Sequence, residues 1–243
     1  MANPILNDNF VQGEAGDRVI TGQTMTVSGT LDKTLLLFLC ALLPAAYTWQ
    51  QYMAGFTDKA NMLMTVGAIV GFIFALIVCF TKNKILVPAY AVCEGLFLGG
   101  ISAVFNTAYP GIVVQAVTGT FAAMLSMLAL YRLNIIRCTD KFRSVVFIST
   151  LSIAVLYLIQ WIASFFHYGI PGIFGAGSIG IGFSIIVVAI AALNLIIDFD
   201  FIERGTQNML PKDYEWYGAF GLMVTLVWLY LEMLRLLAKL RDR

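Results

Sequence analysis

Charge is scarce in this sequence. Asp, Glu, Lys and Arg make up 12% of its 243 residues, roughly half the share usual in a soluble domain. A water-soluble globule built this way would have no polar skin. Net charge is +1, which excludes a global field for nucleic acid or acidic partners. Histidine is nearly absent: the single His167 argues against a His-based zinc or iron site. The four cysteines, Cys40, Cys79, Cys93 and Cys138, form no CxxC or other metal spacing. They read as reduced thiols filling small apolar positions. Enzyme signatures are missing as well. There is no HExxH, no GxSxG and no kinase motif, and the Gly-rich stretch from Pro171 to Gly177 is not followed by GK[ST]. The aspartate motifs of an intramembrane protease are absent, and Ser149, Ser152, His167 and Ser184 make no recognisable nucleophile arrangement. No catalytic activity and no resident cofactor are expected.

What fills the chain instead is apolar residue, 60% of it, with a mean hydropathy of +0.85. A membrane-spanning helix needs about 20 mainly apolar residues to cross a hydrocarbon core about 30 Å thick. Seven stretches qualify: 34–52, 62–80, 85–105, 111–131, 145–166, 178–202 and 216–240. The sixth is rich in β-branched residues, but its length favours helix, and a lone strand in lipid would leave its backbone groups unpaired. Tyr47, Trp49, Trp161, Tyr168 and Trp216 sit at span ends, where an interfacial aromatic belt belongs. Gly67 and Gly71, and Gly95 and Gly99, recur at a spacing that lets helices approach closely. The expected fold is an all-α integral membrane protein, a seven-transmembrane-helix bundle over residues 31–243. Residues 1–30 are polar, lack the basic start and apolar core of a secretion signal, and read as a flexible tail. The first span is then an uncleaved insertion signal.

Basic residues fall mainly in alternate loops. Lys82 and Lys84, then Arg132, Arg137, Lys141 and Arg143, then Arg204 and Lys212 mark one side, against little beyond Lys59 on the other. The positive-inside rule puts that side, with the N-terminus, in the cytoplasm. The basic end of the chain, Arg235, Lys239, Arg241 and Arg243, falls on the opposite side and conflicts with this count. Either the seventh span is partly re-entrant or the loops outvote the tail.

Four of the 14 acidic residues lie inside apolar runs: Glu94, Asp198, Asp200 and Glu232. A charge at the centre of a span costs about 2.5–3.5 kcal/mol even on the lenient insertion scale, so such groups face the bundle interior or a wet cavity. Each has a plain structural reading. Glu232 has Arg235 three residues on as a charge partner. Asp198 and Asp200 fit a helix-end cluster, and Glu94 fits a protonated interhelix hydrogen bond. The functional reading is that two or more share a site. Two close carboxylates cannot both ionise cheaply, so a shared proton would hold helices together. Losing it would part them or leave oxygens suited to a hard cation such as Ca²⁺.

The stretch Ala91–Ile101 resembles the Gly-containing third helix of the Bax inhibitor family, the transmembrane Bax-inhibitor-motif proteins, in a divergent bacterial branch. Ile197–Ile202 is similar to its sixth-helix aspartate motif, and Leu229–Leu237 to its last-helix motif. In this chain Glu232 stands where that motif has an aspartate, and the chain between the two motifs is longer than the resemblance leads one to expect. The resemblance implies six helices around a central seventh and a pH-sensitive Ca²⁺ leak. It also implies a carboxylate pair on helices six and seven, by position Asp198 and Glu232, with Asp200 the alternative first member. Glu94 stands where many members have an uncharged residue and would be a third participant peculiar to this branch. These two acids would be the Ca²⁺ ligands, and the partners would be the lipid bilayer, Ca²⁺ and protons. The competing reading is a non-conducting regulator that binds membrane proteases or stress-response proteins. Either would sit in a bacterial plasma membrane.

Overall fold

The computed structural model describes residues 24–166 and 172–242. Among them are seven α-helices and no strand: α1 Val27–Met53, α2 Thr57–Thr81, α3 Leu86–Ala108, α4 Ile112–Arg132, α5 Asp140–Phe165, α6 Ser178–Gln207 and α7 Tyr214–Arg241. Each apolar run of the sequence is one helix, and all seven are long and apolar enough to cross a membrane. Their side chains confirm the solvent. Leu43 is 78% and Phe80 83% exposed, and contiguous apolar surface on this scale is found where lipid, not water, covers it. The helices are not equivalent: 56% of the central stretch of α7 is buried, against 11% for α5.

The chain divides into two compact units, each described by itself. Among the described residues, one comprises 24–110 and 201–224, the other 111–166, 172–200 and 225–242. In the first, α3 packs against both α1 and α2. Glycines set how close they come. A Cβ at Gly95 would overlap the Ala41 backbone carbonyl, and one at Gly99 that of Ala45, so α1 and α3 touch backbone to backbone along a four-residue repeat. A Cβ at Gly67 would lie 2.6 Å from the Cys93 carbonyl, which places α2 equally close.

The start of α1 corrects one sequence boundary. Residues 24–30, drawn as part of the tail 1–30, are built into the fold. The Met25 amide donates to the Leu210 carbonyl at 2.7 Å, and its side chain is 1% exposed. The Thr26 hydroxyl caps α1 by accepting from the Gly29 amide at 3.0 Å. Residues 1–23 lie outside the described residues, as do His167, Tyr168, Pro171 and Arg243.

The second unit holds α4, α5, most of α6 and the later part of α7. Its apolar core joins Cys138 and Val146 to Ile196 and Ile197, with Met127, Tyr131, Ile136 and Phe147 around them. The re-entrant reading of the last span is overturned. α7 is a single helix of 28 residues, about 42 Å at 1.5 Å per residue. Its basic end is engaged locally. Lys239 donates to the Gly180 carbonyl at 3.1 Å and the Ser184 hydroxyl at 2.9 Å. Arg241 donates to Gln115 Oε1 at 2.9 Å.

Candidate functional site

The carboxylates that the sequence singles out meet different fates, set by what each neighbouring helix offers. Asp200 and Glu232 are paired with arginines. Asp200 is 8% exposed and accepts from Nη2 of Arg143, itself 7% exposed. Arg143 sits in the first turn of α5, behind the Thr139 cap, whose hydroxyl accepts from the Phe142 amide at 3.2 Å. The Nε of Arg143 also donates to the Cys138 sulfur at 3.3 Å. Glu232 is 1% exposed and accepts three bonds: from the Tyr157 hydroxyl at 2.8 Å, Arg235 Nη1 at 2.7 Å and Trp228 Nε1 at 3.3 Å. The Arg235 guanidinium also lies 4.9 Å from the centre of the Tyr157 ring. The charge partner expected for Glu232 is thus in place, and Tyr157 ties the pair to α5.

Asp198 has no such partner. It is 2% exposed, and its Oδ2 makes no hydrogen bond. The bond it has is from the Thr225 side chain on α7, a neutral donor. It lies two positions before Asp200, about 200° around the helix, so the two acids look toward different neighbours. No hydrogen bond joins Asp198 to Glu232. Thr225 precedes Glu232 by seven residues, two helical turns or about 10 Å along α7. The structure therefore does not bring Asp198 and Glu232 into one hydrogen-bonded pair; the residue facing Asp198 is a threonine. Glu94 belongs to the other unit. Its carboxyl group is hydrogen-bonded to Tyr90, one turn earlier on α3, and it occupies space that Gly71 of α2 leaves open, since a Cβ there would lie 3.5 Å from its Oε2.

Asp198 and Thr225 together offer a few oxygens and one negative charge. A resident Ca²⁺ takes six to eight oxygens, usually several of them carboxylate. Among the described residues no three His, Cys, Asp or Glu side chains converge on one point. These two side chains alone fall short of such a ligand set.

Sequence reasoning missed four polar anchors. Arg143 was counted as a loop charge, although it stands at the entry to an apolar run, a place where a basic residue has to find a partner. Thr225 carries no charge and gave no signal. Tyr157 sits in the middle of a span, where a hydroxyl needs an acceptor. Glu215 lies outside the apolar runs and gave no signal, yet it is 0% exposed. It accepts from the Thr26 amide at 3.0 Å, from the Thr26 hydroxyl at 2.9 Å and from the Lys33 ammonium, so the start of α7 is fastened to the start of α1.

No curated protein matches this sequence. A family model described as Bax inhibitor 1 like matches residues 3–242, almost the entire chain. With seven membrane-length helices and acids on α3, α6 and α7, the chain belongs to the Bax inhibitor 1-like family.

Proposed function

We propose that this protein is a pH-sensitive cation leak, Ca²⁺ being the expected ion, in which Asp198 is the gating carboxylate. The observation that carries the reading is the contrast between the acids of α6 and α7. Asp200 and Glu232 are each neutralised by an arginine, whereas Asp198 is as deeply buried with one oxygen unbonded and only a threonine donor. Protonated, Asp198 is a neutral group among neutral neighbours. Ionised, it is a bare charge in a low-dielectric span, a state that costs several kcal/mol unless water or a cation reaches it. Gain or loss of one proton therefore biases two arrangements of α6 and α7, which is what a pH gate requires. In this reading Glu232, with Tyr157 and Arg235, is a fixed anchor that holds α7 while the Asp198 level changes. The positive-inside count supports a cytoplasmic N-terminus, and the resemblance to a bacterial branch supports a plasma-membrane location.

The test is Ca²⁺ flux into proteoliposomes across a pH series. Asp198→Asn should make flux independent of pH, because the site can no longer change its charge. Glu232→Gln should keep the pH dependence. A pH response that survives Asp198→Asn rejects the gate. Absence of flux from folded protein at every pH rejects the leak and favours a non-conducting regulator of other membrane proteins.

A further inference from the structure

The turn between α4 and α5 is a rigid platform with an amphipathic outer surface. Its geometry begins with a sharp helix stop. The Asn134 amide donates to the Tyr131 carbonyl and the Ile135 amide to the Leu130 carbonyl, both at 3.0 Å. Asn134 itself is left-handed, with φ 55°. This is the paired-bond C-terminal cap that ends a helix in one step. Thr139 then caps α5. Between the caps the chain alternates. Ile136 and Cys138 turn inward onto Val146, Ile196 and Ile197, and Cys138 is held there by Arg143.

The outward set is different in kind. Leu133 is 70% and Ile135 64% exposed. Both belong to a turn, not to the lipid-facing side of a helix, yet they are apolar. Arg132, Arg137 and Lys141 surround them, all exposed. Among the described residues, no side-chain hydrogen bond or ion pair engages any of the three. The one acid in the same stretch is Asp140. A tight turn at the ends of two spans lies at the level of the lipid headgroups. There an apolar tip is stable only if it enters the acyl boundary, and unpaired cations are stable beside phosphate. A soluble protein partner would suit the cations but not two large apolar side chains at headgroup depth.

We propose that this turn is a docking surface for anionic phospholipid, with Leu133 and Ile135 inserted at the acyl boundary and Arg132, Arg137 and Lys141 on the headgroup phosphates. The inward anchors make it preorganised, so lipid meets a fixed pattern of charges and not a mobile loop.

The test is native mass spectrometry of the full chain released from vesicles of phosphatidylglycerol and phosphatidylethanolamine in equal parts. The wild-type protein should retain phosphatidylglycerol preferentially. An Arg132→Gln, Arg137→Gln, Lys141→Gln triple variant should lose that preference. Surface cations near a bilayer each contribute about a five-fold gain in binding, so the loss should be roughly a hundred-fold. These side chains are exposed, so the variant should melt with the wild type. Lys59→Gln, at the start of α2, is the charge control and should change nothing. Leu133→Ser with Ile135→Ser should weaken retention of both lipids. Excess inorganic phosphate should not displace the lipid; displacement would reduce the surface to a simple anion site and overturn the proposal. Equal retention of the two lipids by wild type, or full retention by the triple variant, would also overturn it.

Discussion

Arg143→Gln should be among the most damaging single substitutions in this protein. The argument rests on burial. Arg143 is 7% and Asp200 8% exposed, so solvent screens their attraction little. Making such a pair contributes little net stability, because both charges had to leave water. Breaking it by removing one partner costs about 3–5 kcal/mol, since the other charge stays behind without its counter-charge. Arg143→Gln takes the cationic partner from the buried Asp200 and also removes the bond to Cys138. Asp200→Asn should cost less, because the long arginine stem can carry its guanidinium outward. The double variant removes both charges of the pair and should recover about 2 kcal/mol over Arg143→Gln alone, within the usual coupling range of contacting residues. Unfolding of the detergent-solubilised chain, followed by circular dichroism as denaturing detergent is titrated in, gives all four stabilities of the cycle. A cost below about 1 kcal/mol for Arg143→Gln would refute the buried-pair reasoning, as would a double variant no more stable than that single one.

Two further perturbations test the packing. Gly95→Leu puts a side chain where the Ala41 carbonyl of α1 already lies, so α1 and α3 must part. The expected loss is about 1–3 kcal/mol in the same titration, and an unchanged midpoint would refute the close helix contact. Cys138 is 8% exposed, and burial pushes its thiol up to about 11. In a variant with the other three cysteines replaced, maleimide at neutral pH should label the folded protein slowly and the unfolded protein fast, because the thiolate is the reacting form. Rising pH should speed labelling of the folded protein right up to about pH 10. A plateau near pH 9 would contradict the burial.

How much of this was legible in the sequence depended on the length scale of each question. Seven crossings follow from apolar runs long enough for a bilayer, and no detail of packing can hide them. Helix ends were harder. α1 begins at Val27 where hydropathy starts the span at 34, and α6 runs to Gln207 where hydropathy stops it at 202. Polar residues at headgroup depth continue a helix without adding to an apolar run, so hydropathy trims both ends. The glycine repeats pointed to close contact, but not to Ala41 and Ala45 as the residues opposite them.

The carboxylates required something the sequence does not carry, which is the register between α6 and α7. A carboxylate meets whatever stands at its own depth and angle, and a slide of one helical turn, about 5.4 Å, exchanges one partner for another. By motif, Glu232 was the natural companion of Asp198; by register the companion is Thr225. The difference has a chemical consequence. A pair of acids sharing one proton titrates as a unit, over a range set by their mutual repulsion. An acid facing a threonine titrates alone, and its charge is answered only by what enters from outside. Supplying the second acid should therefore change the form of the pH response as well as its midpoint. Thr225→Asp would place two carboxylates within one hydrogen bond, and on the proposed gate proteoliposome flux should then respond to pH in two steps, against the single step expected of the unmodified protein.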